Sequence, residues 1–191
     1  MKVIGIVGSP RKNGNTETLV RAVLEGSKEK GHETEIFLLG EIRYQGCQAC
    51  MYCKTHDRCK LEDDLTPVMK AIEDADAIVL GAPIYMMQYS GQFKLFQDRL
   101  YQFLGTGSRR TSEGYDFKVS LKPGKKAIVI TTQGNPDPKM FESAINGLTL
   151  GLKMFDFHIN DSILLTGGNS PGAARENKDL IERAKEDGRA L

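Results

Sequence analysis

Short apolar segments alternate along the chain with amphipathic helical segments, and this alternation is the feature that most constrains the fold. The predicted strands cover residues 3–7, 34–39, 77–81, 126–132 and 158–166. The predicted helices cover residues 17–30, 65–74, 91–104, 138–155 and 173–187. Because the strands are apolar throughout, both faces of the sheet should be covered by helices. With right-handed crossovers, the pattern predicts a doubly wound α/β fold with a five-stranded parallel sheet, and it leaves the strand order open.

The overall composition is that of an ordinary globular protein. The chain has 191 residues, of which 40% are hydrophobic and 27% charged, with a formal net charge of +1. This length fits a single domain over residues 1–191. The charge gives no reason to expect a nucleic-acid partner, and no apolar run reaches the length of a membrane span. The first residues, MKVIGIVG, predict a strand rather than a signal peptide, so we expect a cytoplasmic protein.

All four cysteines lie in one segment, residues 44–60 (YQGCQACMYCKTHDRCK), which we call the cysteine loop. Cys47, Cys50, Cys53 and Cys59 follow the spacing C-x2-C-x2-C-x5-C. Thiolates three residues apart on a tight loop can point at one centre, which predicts a soft-metal or redox site. The spacing is similar to the bacterial ferredoxin run, but the last spacer is longer and Lys60 replaces the proline. With no fifth cysteine, all four would hold one [4Fe–4S] cluster.

Two other interpretations of the cysteine loop stay open. The thiols could be free or redox-active, although disulfide pairs are disfavoured in a reducing cytosol. A structural zinc site is the other, but such sites usually have two C-x-x-C knuckles separated by a longer stretch. His56 lies inside the loop and could tune or replace a ligand, or could be a solvated loop histidine.

A polar segment between the first strand and the first helix, residues 8–16 (GSPRKNGNT), is a candidate anion site, and we call it the phosphate loop. Backbone N–H groups and the positive end of the helix dipole meet at such a position. Ser9, Asn15 and Thr16 add hydroxyl and amide donors, and Arg11 adds a positive charge. The segment matches neither the Walker loop nor the dinucleotide glycine pattern. On spacing alone it could also be a plain turn with a polar cap.

Three motifs together resemble the NADPH-dependent FMN reductase branch of the flavodoxin-like superfamily. They are G-S-P-R-x-x-G-N-T after the first strand, A-P-I-Y after the third, and K-x-x-x-D-R (Lys94, Asp98, Arg99) in the next helix. With the cysteine loop added, the chain is similar to the iron–sulfur flavoproteins of anaerobic archaea and bacteria. The motifs cover residues 1–135. The resemblance implies the flavodoxin-like strand order 2-1-3-4-5 and FMN as a cofactor.

The resemblance also implies an FMN-binding set, and its members share positions in the loops that follow the strands. The phosphate would be held by Ser9, Arg11, Asn15 and Thr16, with Asn13 in the same cofactor-binding set. The isoalloxazine ring would be followed by Pro83, Ile84, Tyr85 and Met86, and flanked on its other side by Thr132, Gln133 and Gly134. Neither a Ser-His-Asp arrangement nor a carboxylate pair is evident, so no catalytic side chain is predicted and the cofactors should carry the chemistry.

The function implied is electron transfer among a donor such as ferredoxin, the [4Fe–4S] cluster and FMN, with small acceptors that include O2 and H2O2. Two alternatives stay open: a clusterless NAD(P)H-dependent FMN or quinone reductase, and a flavin- or thiol-based redox sensor without turnover. We expect a homodimer or homotetramer, in which residues 86–89 and a polar, turn-rich insertion at residues 105–124 cover the flavin.

Overall fold

A computed structural model describes residues 1–105, 109–112, 114–116 and 118–191 of the chain. Its centre is a parallel sheet of β1 (Lys2–Val7), β2 (Glu33–Leu38), β3 (Ala77–Tyr85), β7 (Lys126–Thr132) and β8 (His158–Leu165). The strands lie in the order β2-β1-β3-β7-β8. Counted along the parallel strands, this is the order 2-1-3-4-5, so the flavodoxin-like topology is confirmed. A two-residue strand, β4 (Gln88–Tyr89), pairs antiparallel with the end of β3.

Helices cover both faces of this sheet, as the apolar strands predict. They are α1 (Asn15–Glu29), α2 (Cys53–His56), α3 (Thr66–Asp74), α4 (Gly91–Arg99), α5 (Glu142–Met154), α6 (Ala173–Glu176) and α7 (Lys178–Arg189), with a 3₁₀ helix at Leu100–Phe103. Alternate strand residues pack into two apolar layers. Ile6 and Leu80 belong to the layer under α3, α4 and α5, whereas Val7 and Val79 belong to the layer under α1 and α7. Over the described ranges, every helix is too short or too polar to cross a bilayer.

Several element boundaries differ from the predicted ones for reasons of local chemistry. β3 continues past Gly81 to Tyr85, because the Ala-Pro-Ile-Tyr segment stays paired with β7 as far as Pro83 and Thr132. The predicted closing helix is divided at Asn177, whose side chain accepts a hydrogen bond from Leu180 N at 3.1 Å and so caps α7 as a separate helix.

The helix predicted from residue 138 begins only at Glu142. The residues before it form turns that side chains hold: Asn135 accepts from Asp137 N at 2.8 Å, and Asp137 accepts from Lys139 N at 2.9 Å. Short polar side chains that bond the backbone two residues ahead favour turns over helix.

The predicted insertion at residues 105–124 includes a small hairpin of β5 (Arg109–Thr111) and β6 (Gly114–Asp116). Residues 106–108, 113 and 117 of the insertion lie outside the described residues. Leu104 and Val119 form an antiparallel bridge at the base of the hairpin. The proposed cover over the flavin therefore remains a prediction for this segment.

The close packing of α1 against α7 depends on glycine, and this gives a stability prediction. A Cβ atom added at Gly188 would overlap the backbone carbonyl oxygen of Val23. Because backbone cannot move as a side-chain end can, we expect Gly188→Ala to lower the free energy of unfolding by about 1–3 kcal/mol. Chemical or thermal unfolding of the purified variant measures this change.

Gly147, in α5, is the matched control, because a Cβ atom there would have nothing within 4 Å. Gly147→Ala should leave stability unchanged or raise it by up to about 1 kcal/mol, the difference in helix propensity between the two residues. Equal unfolding midpoints for the two variants would contradict the packing argument.

Candidate functional site

The loops that follow β1, β3, β7 and β8 meet at the carboxyl edge of the sheet and enclose a cavity of about 170 Å³. We call it the loop cavity. It is lined by Ser9, Arg11, Asn15, Thr16, Pro83, Ile84, Tyr85, Thr132, Gln133, Gly168 and Asn169. Most of the predicted FMN-binding residues are therefore brought together from the phosphate loop and the carboxyl ends of β3 and β7. Asn13, Met86 and Gly134 are not among the lining residues.

The phosphate loop leads into α1, whose N-terminus opens towards this cavity. Gly14 occupies the N-cap position, and no side chain there accepts a hydrogen bond from the first turn. The backbone N–H groups that begin α1 therefore lack the usual capping oxygen. Thr16 is buried, and its Oγ1 lies 2.8 Å from Thr132 Oγ1. The donor-rich start of α1 fits an anion such as the terminal phosphate of FMN.

The acidic side chain in the first turn of α1 is directed away from the cavity. Glu17 accepts a hydrogen bond from Asn13 N at 2.7 Å and pairs with Arg21 at 2.8 Å. Asn13 has φ of 52° and lines a separate surface depression with Glu17 and Arg175. The negative charge of Glu17 is thus already compensated. Arg11 makes no ion pair among the residues that the structure describes, which leaves its guanidinium group free to meet an anion.

Asn15 lines the cavity, but its side chain is satisfied by the loop after β8. Its Nδ2 donates to Gly168 O at 3.0 Å and to Ser170 O at 2.7 Å, and its Oδ1 accepts from Ala174 N at 3.0 Å. The side chain is therefore occupied, and only the backbone N–H of Asn15 remains to donate a hydrogen bond to an anion. The side chain instead connects the phosphate loop to the last loop of the sheet.

Gly168 and Asn169 line the cavity and were missed by sequence reasoning. Gly168 N donates to Gln133 O at 2.8 Å, and Asn169 Nδ2 donates to Gly134 O at 3.2 Å. A Cβ atom at Gly134 would overlap the Asn169 side chain, so Gly134 provides close packing and does not line the cavity. The available signal was the Gly-Gly-Asn-Ser turn at residues 167–170, which follows a predicted strand at the same sheet edge.

A strained hairpin stands beside the cavity. Met86 and Met87 join β3 to β4 with φ of 45° and 69°, the two positive φ values of a type I′ turn, which Asn and Gly usually adopt. Met86 is 95% exposed and Tyr85 is 41% exposed. Tyr89 anchors the hairpin, because its hydroxyl lies 2.9 Å from Thr131 Oγ1. Burial raises the pKa of Tyr89 to about 12, so the phenol stays neutral.

The cysteine loop folds around a second cavity, of about 260 Å³, which we call the cysteine cavity. Cys47, Cys50, Cys53 and Cys59 all line it. Cys53 is buried, Cys59 is half-buried, and all four are free thiols. Burial raises the pKa of the Cys53 thiol, and the neighbouring Lys54 ammonium offsets part of that shift. His56 does not line the cavity; its ring stacks on Tyr52 at 3.7 Å.

The chemistry of this donor set distinguishes between kinds of metal group. Within the described ranges, no three His, Cys, Asp or Glu side chains converge closely enough to hold a single metal ion. A single zinc ion needs four ligands on one point, whereas in a [4Fe–4S] cluster the four thiolates hold a larger polynuclear group. Four thiols around one cavity are the donor type that a [4Fe–4S] cluster uses.

Side chains of the neighbouring helices hold the cysteine loop in place. Lys54 Nζ donates to Tyr101 O at 2.8 Å and to Leu104 O, and it lies 3.7 Å from the centre of the Tyr101 ring. Cys59 N donates to Gln102 Oε1 at 3.2 Å. These contacts fix both the middle and the end of the loop on the C-terminal side of α4.

The two cavities share no lining residue, and α4 connects them. Ser90, the N-cap of α4, donates to Gly8 O in the phosphate loop at 2.5 Å. Arg99, its last residue, lines the cysteine cavity. With nine residues, α4 is about 13 Å long. The two sites therefore lie towards opposite ends of one short helix.

Comparisons with known proteins agree with this geometry. Residues 1–133 match the family model described as NADPH-dependent FMN reductase. An iron–sulfur flavoprotein from Methanocaldococcus jannaschii is 43% identical over 173 residues, covering 91% of this chain and 79% of that protein. Another, from Archaeoglobus fulgidus, is 29% identical over 190 residues, covering 97% of this chain and 87% of that protein.

Among solved structures, an NAD(P)H:quinone oxidoreductase from Methanothermobacter marburgensis matches the fold with a TM-score of 0.69 at 20% identity. The match covers 100% of this chain and 96% of that one. At this identity the likeness bears on the fold alone.

Proposed function

This chain belongs to the NADPH-dependent FMN reductase family and is an FMN-dependent oxidoreductase, and we propose that it acts as an iron–sulfur flavoprotein. In this proposal it passes electrons between a one-electron donor such as ferredoxin, a [4Fe–4S] cluster and FMN, and on to small acceptors such as O2 or H2O2. The observation that carries the proposal is the cysteine cavity, because every cysteine of the chain borders it and it lies one helix away from the loop cavity.

The residues of the loop cavity support FMN binding in a defined orientation. The N-terminus of α1 and Arg11 would receive the phosphate, and Ser9 and Thr16 would add hydroxyl groups. Pro83, Ile84 and Tyr85 border the cavity from β3 and would lie along the ring. When bound, FMN supplies a centre that exchanges both single electrons and electron pairs.

Thr132 and Gln133 border the cavity on its β7 side. Gln133 is buried, and its Nε2 donates to Asn135 O at 3.0 Å and to Asp137 O at 2.7 Å. Its Oε1 is buried without a partner among the described residues. We propose that this unpartnered acceptor is the polar group that Gln133 offers to the ring. Gly134 and Met86 stay in the proposed set as neighbours of the lining residues. Asn13 stays in it because its backbone N–H holds the Glu17 carboxylate away from the cavity.

The cysteine cavity is the proposed cluster site, with Cys47, Cys50, Cys53 and Cys59 as ligands. A [4Fe–4S] cluster supplies single-electron exchange when bound. The protein's part is to keep the four thiols around one space and to exclude water from Cys53. Three loop residues have positive φ, namely Ala49 at 51°, Met51 at 60° and Asp57 at 51°, and they turn the chain sharply enough to do so.

The exposed hairpin supports the proposal that the protein assembles as a homodimer or homotetramer in the cytoplasm. Met86 and Met87 form an apolar tip beside the loop cavity, and a second copy that packs on this tip would cover both the methionines and the flavin ring. Tyr85, half exposed at the cavity edge, would lie within the same contact.

A second candidate function is a clusterless NAD(P)H-dependent FMN or quinone reductase. The observation that favours it is the extent of the family match, which covers the whole loop cavity except the loop after β8 and whose description names NADPH and FMN. Both candidates use the same flavin site, so they differ in the electron donor.

The donor experiment distinguishes them. Anaerobic protein with bound FMN is mixed with NADPH, with NADH, or with a reduced one-electron carrier such as ferredoxin, and the visible absorbance of the flavin is followed. The proposal predicts fast bleaching by the one-electron carrier, and predicts that bleaching slows when the cluster is removed by an iron chelator. Bleaching by a nicotinamide at full rate in iron-free protein would instead establish the second candidate.

A further inference from the structure

Arg99 is the largest fully buried side chain of the described residues, and it is charged. It is only 2% exposed at the C-terminal end of α4. Taking a guanidinium group out of water is unfavourable unless its charge and its N–H groups are used. Asp63 provides one carboxylate, 2.8 Å from Nη1. The rest of the guanidinium group faces the cysteine loop.

The hydrogen bonds of Arg99 join the two limbs of the cysteine loop. Nη1 donates to Gln45 O at 2.9 Å, just before Cys47. Nη2 donates to Leu61 O at 3.2 Å, just after Cys59. One side chain therefore closes the base of the loop on both sides of the four thiols.

Asp63 completes this closure. Its Oδ2 accepts from Arg99 and also from Gln45 N, at 3.1 Å. Burial raises the pKa of the Asp63 carboxyl, but hydrogen bonds from Arg99 and from the backbone of Gln45 and Leu65 outweigh burial and hold that pKa below its usual range. The carboxylate is therefore charged whenever the loop is closed at neutral pH.

One donor of Arg99 is left over. Its Nε is buried and has no hydrogen-bond partner among the described residues. Arg99 also lines the cysteine cavity, beside Cys59 and Gln102. An unpartnered N–H on a charged side chain that lines the cavity of the four thiols is suited to an anionic sulfur.

We propose that Arg99 is a positioning residue of the cluster site, which closes the base of the cysteine loop and offers its Nε–H and its charge to the sulfur atoms held in the cysteine cavity. The inference rests on the proposed function for the nature of the group in the cavity. Cluster reduction adds negative charge, and a nearby buried cation stabilises the reduced form. Arg99 should therefore raise the reduction potential and slow the loss of iron.

The first test uses the metal-free protein and does not depend on a cluster. In Arg99→Gln the base of the loop loses its clamp, so alkylation of the buried Cys53 should be roughly tenfold faster or more. Cys47 and Cys50, which are already exposed, should react at the wild-type rate. Lys94→Gln is the matched control, because it removes a cation from the exposed side of the same helix. If Cys53 were alkylated at the same rate in Arg99→Gln as in Lys94→Gln, the proposal that Arg99 closes the base of the loop would be overturned.

The second test uses the anaerobically loaded protein and a redox titration of the cluster signal. Arg99→Gln should have a lower cluster potential and faster iron loss to a chelator, with FMN content unchanged. Arg99→Lys keeps a charge but not the fork of donors, so its potential should stay nearer to wild type while iron loss is still faster. If Arg99→Gln fails to fold, the iron-loss rate of Arg99→Lys decides, and a wild-type rate overturns the proposal.

The failure of this inference and that of the proposed function are distinguishable. A wild-type protein that takes up no iron and sulfide would overturn the cluster function and the sulfur-facing role of Arg99. The alkylation test would still show whether Arg99 closes the base of the cysteine loop. A wild-type protein with a cluster, beside an Arg99→Gln variant with an unchanged potential and unchanged iron loss, would overturn the Arg99 proposal alone.

Discussion

Cys53→Ser is expected to reduce bound iron and sulfide to near zero while FMN remains bound at the wild-type level. Cys53 is the buried member of the four thiols and lines the cysteine cavity. A serine hydroxyl is a harder ligand and stays protonated at neutral pH, so it does not replace a thiolate on iron. FMN should be retained because the two cavities share no lining residue. Iron, sulfide and flavin analysis of anaerobically purified protein measures the result.

His56→Gln is the control within the same loop. The His56 ring stacks on Tyr52, and its Nδ1 shares a hydrogen bond of 2.7 Å with Thr55 Oγ1. His56 does not line the cysteine cavity. This variant should keep wild-type iron and sulfide. Loss of iron in His56→Gln together with retention in Cys53→Ser would mean that the ligand set includes the histidine and that the four-cysteine assignment is wrong.

Arg11→Gln is expected to weaken FMN binding by roughly 10- to 100-fold, since a hydrogen bond to a charged group contributes about 1.5–3 kcal/mol. Arg11 lines the loop cavity next to the uncapped N-terminus of α1, where the phosphate is proposed to lie. Titration of the apoprotein with FMN, followed by the quenching of flavin fluorescence, gives the dissociation constant. Riboflavin, which lacks the phosphate, should bind the variant and the wild type equally.

Lys12→Gln provides the matched control for Arg11. Lys12 is the adjacent cation, but it pairs with Glu41 at 2.8 Å and does not line the cavity. Its replacement should change the FMN dissociation constant by less than about threefold, as expected for an exposed ion pair. An equal loss of affinity in both variants would indicate a general effect of charge rather than a phosphate contact at Arg11.

The fold was largely predictable because its signals are local. Apolar strands separated by amphipathic helices predict the two-layered core, and the family resemblance supplied the strand order, which periodicity does not contain. The boundaries that were wrong depend on local contacts that the apolar pattern does not contain. Asn177 divides the last helix by capping α7, and β3 continues because Ala82 and Pro83 remain paired with β7.

The candidate site was predictable where its residues carry a sequence motif. The phosphate loop, the segment after β3 and the segment after β7 converge on one cavity, and the family membership confirms the FMN reductase resemblance. Gly168 and Asn169 belong to a loop without a motif, and their place depends on the Asn15 side chain, which lies 153 residues away from Gly168. The closure of the cysteine loop by Arg99 and Asp63 is likewise a contact over 36 residues.

The cluster is a prediction that rests on the four thiols around the cysteine cavity. The most direct measurement is the content of iron, acid-labile sulfide and FMN per chain in protein purified without oxygen. Our account predicts about four irons and four sulfides for each FMN. One FMN per chain with neither iron nor sulfide, even after anaerobic reconstitution, would contradict it and leave a clusterless reductase.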